Sequence, residues 1–168
     1  FSKKYKYKYA ILRYFNVAGA SSSHKIGEME NSHGHLIKNI AIQSLKKKPV
    51  ISIYGNDYKT KDGTCVRDYM HVSDLVDAHV KTLNYLNTKS KSLILNCGYG
   101  KGYSVLDIVK IFQKNNSLLT IDYKSRRVGD VDMVYADVKK IKKILKWKPK
   151  YDNINKIIKS SIRWEKLK

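Results

Sequence analysis

Apolar and polar positions along this chain switch between two periods, and the switching predicts strands interleaved with helices. Residues 10–15 (AILRYF) are mostly apolar and predict a strand, ended by Asn16 and a turn at Gly19. Residues 21–35 are polar and without period, which predicts a loop. Apolar side chains at Leu36, Ile37, Ile40, Ala41 and Leu45 recur at helical spacing and predict a helix over 36–47, stopped by Pro49. A short strand over 50–54 follows. Residues 66–72 alternate branched, charged and aromatic side chains as a half-buried strand does, and Ser73-Asp74 is placed to cap a helix over 75–85. Beyond it the pattern predicts a buried strand over 93–96, a helix over 105–112 capped by Ser104, and a strand over 118–123. Two last helices, 138–145 and 154–164, are separated by Lys148-Pro149. Such alternation implies an α/β fold, whose ligands bind at the carboxyl ends of strands.

Two segments carry candidate chemistry. Residues 98–102, GYGKG, follow a strand and precede a helix, as a dinucleotide-binding turn does. Tyr103 stands where the last glycine of that motif belongs, so a tight turn is the better reading. Residues 54–74, YGNDYKTKDGTCVRDYMHVSD, place the turn formers Asn56-Asp57 and Asp62-Gly63-Thr64 ahead of Arg67. An arginine at a strand-to-loop edge can grip a phosphate bidentately, or it can form an ordinary buried pair with an aspartate.

The 54–74 run closely resembles the Y-G-x-D-Y-x-T-x-D-G-T-x-x-R-D-Y-x-H-V-x-D-L segment of the UDP-glucose 4-epimerases, members of the extended short-chain dehydrogenase/reductase superfamily. Three more segments match in order: LRYFNVAGA (12–20), LNCGYGKGYSVLDIV (95–109) and RRVGDVDMVYAD (126–137). The resemblance implies the substrate-binding region of such an enzyme, plus the last strands and helices of its Rossmann-like NAD domain, across residues 1–168. The family's NAD-binding glycine loop and its catalytic Ser/Thr, Tyr and Lys precede the strand at Leu12, where this sequence has no room for them. The spacings Tyr85…Lys89 and Tyr135…Lys139 imitate the catalytic pair in the wrong place. A piece of this kind is expected to expose sheet edges and apolar faces.

The resemblance also implies roles. Phe15 meets the nicotinamide side of NAD, and Asn16 meets the substrate's diphosphate or sugar hydroxyls. His35 and Leu36, at a helix start, lie against the UDP moiety. Ser52, Ile53 and Tyr54 read the uracil, with Tyr54 stacking on it. Arg67 and Arg127 clamp the diphosphate, and Asp130 accepts from the ribose hydroxyls. Val134 lines the sugar pocket, where a bulky aromatic is associated with excluding N-acetylated sugars; the smaller valine implies acceptance, although Tyr135 lies one position on. The implied reaction interconverts UDP-glucose and UDP-galactose through a 4-keto intermediate, in a homodimer. A UDP-pentose or UDP-uronate 4-epimerase, or a non-catalytic nucleotide-sugar-binding fragment, fits the same motifs.

Composition narrows the remaining classes. The formal charge of +20 over 168 residues invites a nucleic-acid reading. Nearly all of it is lysine, however, and the runs at 46–48 and 139–146 sit beside helix-period apolar residues, as solvated faces do. No nucleic-acid motif accompanies them, and no partner of that kind is expected. His24, Glu28, Glu30, His33 and His35 lack the spacing of a known metal site. Cys65 and Cys97 form neither a metal pattern nor a disulfide framework, which suits a reducing cytosol. No apolar run reaches membrane-spanning length, so no membrane association is expected.

Overall fold

The computed structural model describes residues 2–23, 25–29, 35–89, 91–114 and 118–168. In chain order its elements are α1 (Ser2–Tyr5), β1 (Ala10–Tyr14), β2 (Asn16–Ala18), α2 (Leu36–Ser44), β3 (Val50–Tyr54), β4 (Val66–Arg67), β5 (Tyr69–His71), α3 (Val72–Lys89), β6 (Leu93–Cys97), β7 (Tyr103–Ser104), α4 (Val105–Gln113), β8 (Thr120–Lys124), β9 (Met133–Val134), α5 (Lys139–Leu145) and α6 (Ile154–Leu167). The strands pair mostly in parallel: β1 with β6, β2 with β5, and β3 with β8, each separated in sequence by helical crossovers. Only β4 mixes directions, antiparallel to β7 and parallel to β9. This is the α/β architecture that the sequence pattern implies.

The core forms where helices cover these strands. Ile37, Ile40 and Ala41 of α2 pack with Ile157 and Ile158 of α6 and with Ile108 and Phe112 of α4, around Ile53, Met70 and Leu95. Trp147, in the turn after α5, is almost fully buried among them. Local chemistry sets the boundaries. Ser104 caps α4 in a reciprocal box with Asp107, and Asn153 caps α6 through the Lys156 N–H. Lys146 adopts a left-handed φ of 48° that closes α5.

Three expectations need correction. The strand expected over 66–72 is two strands broken at Asp68, because the chain changes sheets there. The helix after it begins at Val72, not at Ser73-Asp74. The ring Nδ1 of His71 accepts the Ser73 N–H at 3.1 Å, and Asp74 turns inward instead of capping. Lys46, Lys47 and Lys48 lie in an exposed turn beyond α2, which ends at Ser44, so they are not a helix face.

The expected exposure of edges and faces is visible. Among the described residues β1 pairs on one edge only. Val76, Val80 and Leu83 of α3 are more than half exposed, and Ala78 and Thr82 are the side chains that α3 buries beside Asp74. The apolar surface of α3 thus extends past the sheet it covers. No helix among the described residues is long and apolar enough to cross a membrane.

Candidate nucleotide-sugar cleft

A cleft of about 360 Å³ opens between α2 and the whole length of β3, and reaches Asn16, Arg67 and Arg127. Most of the residues singled out in the sequence meet there. Asn16 enters from the start of β2, Leu36 from the first turn of α2, and Ser52, Ile53 and Tyr54 from β3. Arg67 arrives from β4, and Arg127 and Asp130 from the loop before β9. Phe15 and His35 line an adjoining cavity of about 340 Å³, which shares Asn16, Leu36 and Tyr69 with the first. Val134 lines neither; it sits in β9, in register with Arg67.

Each arginine is held differently. The Arg67 side chain is 15% exposed. Its Nη1 donates to the carbonyls of Val66 and Val131 at 2.9 Å each, and its Nη2 meets Asp130 Oδ1 at 3.3 Å. The pairing of Arg67 with an aspartate thus forms, with Asp130. The guanidinium of Arg127 lies 3.8 Å over the Tyr54 ring, covering a face of the aromatic expected to stack on a base. Arg126 points elsewhere, bonded to Asp57 at 2.6 Å and stacked over Tyr58 at 4.2 Å. That bond from Arg126 holds the Asp57 carboxyl below its ordinary pKa. Burial, reinforced by the negative charge of Asp130, raises the pKa of the Tyr58 hydroxyl. Among the described residues this hydroxyl has no hydrogen-bond partner.

Beside the cleft, the GYGKG turn is filled from within. The N–H groups of Tyr99 and Gly100 donate to the carboxylate of Asp68 at 2.9–3.1 Å, so an internal anion takes the place a phosphate would have. The polar loop before α2 is pinned as well. His35 Nδ1 meets Glu28 Oε1 at 2.5 Å, and the Glu28 carbonyl accepts from Trp164, Lys38 and Lys168. His24, Glu30 and His33 lie outside the described residues. Among the described ones no group of three or more potential ligands could hold a metal.

Sequence reasoning missed several walls of the cleft. Asn39 and Gln43 line it from α2, on the face that begins with Leu36. Their spacing of three and seven residues from Leu36 is the signal, a polar stripe on an otherwise apolar helix. Cys65 also lines the cleft, with burial raising its thiol pKa.

A cleft in an α/β fold lined by two arginines can offer charge-assisted hydrogen bonds to an anionic ligand. The chain belongs to the family described as GDP-mannose 4,6 dehydratase, whose family model matches residues 1–160. It is 42% identical over 157 residues to a UDP-glucose 4-epimerase of Azospirillum brasilense, covering 93% of this chain and 45% of that one. The UDP-glucose 4-epimerase of Stenotrophomonas maltophila, solved with bound NAD and formylated UDP-arabinopyranose, superposes with a TM-score of 0.91. It is 33% identical over 99% of this chain and 50% of its own. A UDP-Glc/GlcNAc 4-epimerase from Campylobacter jejuni gives a TM-score of 0.79 and 38% identity, over 99% and 51%. The chain therefore spans about half the length of the relatives it matches.

Proposed function

We propose that this chain supplies the UDP-sugar-binding part, residues 1–168, of an NAD-dependent 4-epimerase acting on UDP-glucose and UDP-galactose. The observation that carries the reading is the convergence of Asn16, Leu36, Ser52 to Tyr54, Arg67, Arg127 and Asp130 on one cleft. In this reading the free edge of β3 offers main-chain groups to the uracil, and Arg67 and Arg127 take the two phosphates. Asp130 accepts from the ribose. His35 provides no side-chain cap to α2, and the helix dipole there favours an anion. Asn16 can both donate to and accept from the substrate.

Anchoring uridine and diphosphate leaves the hexose free to turn between its two faces. Binding energy from the part that does not react thereby holds the sugar while its C4 is re-presented. The aromatic and aliphatic walls of the adjoining cavity, Phe15, Val17 and Tyr69, fit one side of a nicotinamide ring. NAD, when bound, accepts the C4 hydride and returns it. The acid–base residues belong, in this reading, to the half of the relatives' length that the chain does not span. The homodimer expected of the whole enzyme rests on the resemblance alone. The cytosolic placement draws support from Cys65 and Cys97, both buried and free.

Substrate breadth is part of the proposal. The 38% identity to a UDP-Glc/GlcNAc 4-epimerase favours acceptance of N-acetylated UDP-hexoses. A UDP-pentose is a second reading, favoured by the UDP-arabinopyranose in the Stenotrophomonas structure. Calorimetric titration separates these claims. The chain is expected to take up UDP-glucose and UDP-N-acetylglucosamine with similar affinity and to reject ADP-glucose. Failure to distinguish UDP-glucose from ADP-glucose would sink the uridine reading. Rejection of the N-acetylated sugar alone would narrow the substrates to the unacetylated hexoses.

A further inference from the structure

We infer that Asp68, a residue outside the cleft lining, positions the groups that grip the diphosphate; the inference rests on the nucleotide-sugar reading above. Asp68 is fully buried and sits where the chain leaves β4 for β5. Its Oδ1 accepts the Tyr99 N–H at 3.0 Å, and its Oδ2 accepts those of Gly100 at 2.9 Å and Ala136 at 3.1 Å. Its own carbonyl accepts the Asn16 N–H at 3.0 Å. One residue thus joins four segments. These are the start of β2 that carries Asn16, the strand that carries Arg67, the glycine turn, and the end of the stretch that carries Arg127 and Asp130.

A buried carboxylate is a poor source of stability, since desolvation offsets much of what its bonds return. Among the described residues it has no ion-pair partner that would explain it; its partners are main-chain N–H groups. What such a carboxylate does well is draw several N–H groups from distant segments to one point. Here that point fixes Ala136, and so the Arg127 segment, relative to Arg67 next door. Two guanidiniums can bind two linked phosphates only when their spacing is set beforehand. Among the described residues Asp68 has no bond to β3, the strand expected to read the base, so its influence falls on the phosphates and, through the Asp130 segment, on the ribose, and not on the uracil. The joint is also tight, because a Cβ on Gly98 would lie 2.5 Å from Asp68 Oδ2.

Two variants disturb this joint from opposite sides. Asp68→Asn keeps the shape but replaces one acceptor with a donor facing N–H groups. Gly98→Ala keeps the carboxylate but pushes it aside. UDP affinity is measured by calorimetry and uracil affinity by ligand-observed NMR, at a temperature where melting curves show each variant folded. Both variants are expected to lose UDP affinity by about tenfold or more while uracil binding stays within about twofold. Equal losses for the two ligands, or an unchanged UDP affinity in either folded variant, would overturn the positioning role. If the wild-type chain bound neither ligand, the nucleotide-sugar reading would fall first and this inference with it.

Discussion

Arg67→Ala is expected to lower the affinity of the chain for UDP-glucose by at least about a hundredfold. Hydrogen bonds from a charged donor are worth about 1.5–3 kcal/mol each, and a guanidinium on a diphosphate makes two. The loss is not confined to the ligand. Arg67 also holds the Val131 carbonyl at 2.9 Å and faces Asp130 at 3.3 Å, so its removal frees the segment that presents Asp130 to the ribose. Arg67→Lys keeps the charge but not the fork, and should recover part of the loss. Arg127→Ala should cost less, because Arg127 is exposed and supports no other wall of the cleft beyond its stacking on Tyr54. Calorimetry of the three variants checks the order. An Arg67→Ala chain that bound UDP-glucose within about threefold of the wild type would remove Arg67 from the site.

The second large effect concerns folding. Asp74 is 2% exposed and accepts three hydrogen bonds: from the N–H groups of Lys150 at 2.8 Å and Tyr151 at 2.9 Å, and from the Tyr99 hydroxyl at 2.5 Å. Burial, then the bond to Asp74, pushes the Tyr99 hydroxyl pKa up, so it stays protonated and donates. Through Asp74 the first turn of α3 holds the linker that leads into α6. Asp74→Ala leaves these donors without an acceptor, at about 1–3 kcal/mol for each one buried, and also removes a charge that favours a helix N-terminus. A total of about 3–5 kcal/mol is a large share of the stability of a domain this size. The urea midpoint should fall accordingly, with Asp74→Asn intermediate because it keeps one acceptor oxygen. A midpoint for Asp74→Ala equal to that of the wild type would show that water replaces the network.

Much of this was legible in the sequence, for a physical reason. Side chains two or three to four positions apart report the period of the element that holds them. The strand at 50–54, the cap at Ser104 and the turn at Pro149 all follow from neighbours within a few residues. Of the candidate site residues only Arg67 stood out by pattern, as a charge at a strand edge behind turn formers; the others came from the resemblance to the epimerase segments. What escaped depends on partners far along the chain. Ser73-Asp74 looks like a helix cap, but Asp74 answers to residues 150 and 151. An arginine–aspartate pair was one reading of Arg67, and its partner is Asp130, 63 residues on, while Asp68 beside it bonds to the N–H groups at 99, 100 and 136. The alternation over 66–72 looks like one strand because a change of sheet does not disturb the period. Val134, which the resemblance assigns to the sugar pocket, pairs along β9 outside the lining of both cavities.

The central claim is that Arg67 and Arg127 hold one diphosphate with the uracil against β3, and the most direct test is a crystal structure of this chain grown with UDP-glucose. The account predicts both phosphates between the two guanidiniums, the base along Ser52 to Tyr54, and Arg127 moved off the Tyr54 ring. A nucleotide found at the glycine turn of residues 98–102, or one held without Arg67, would contradict it.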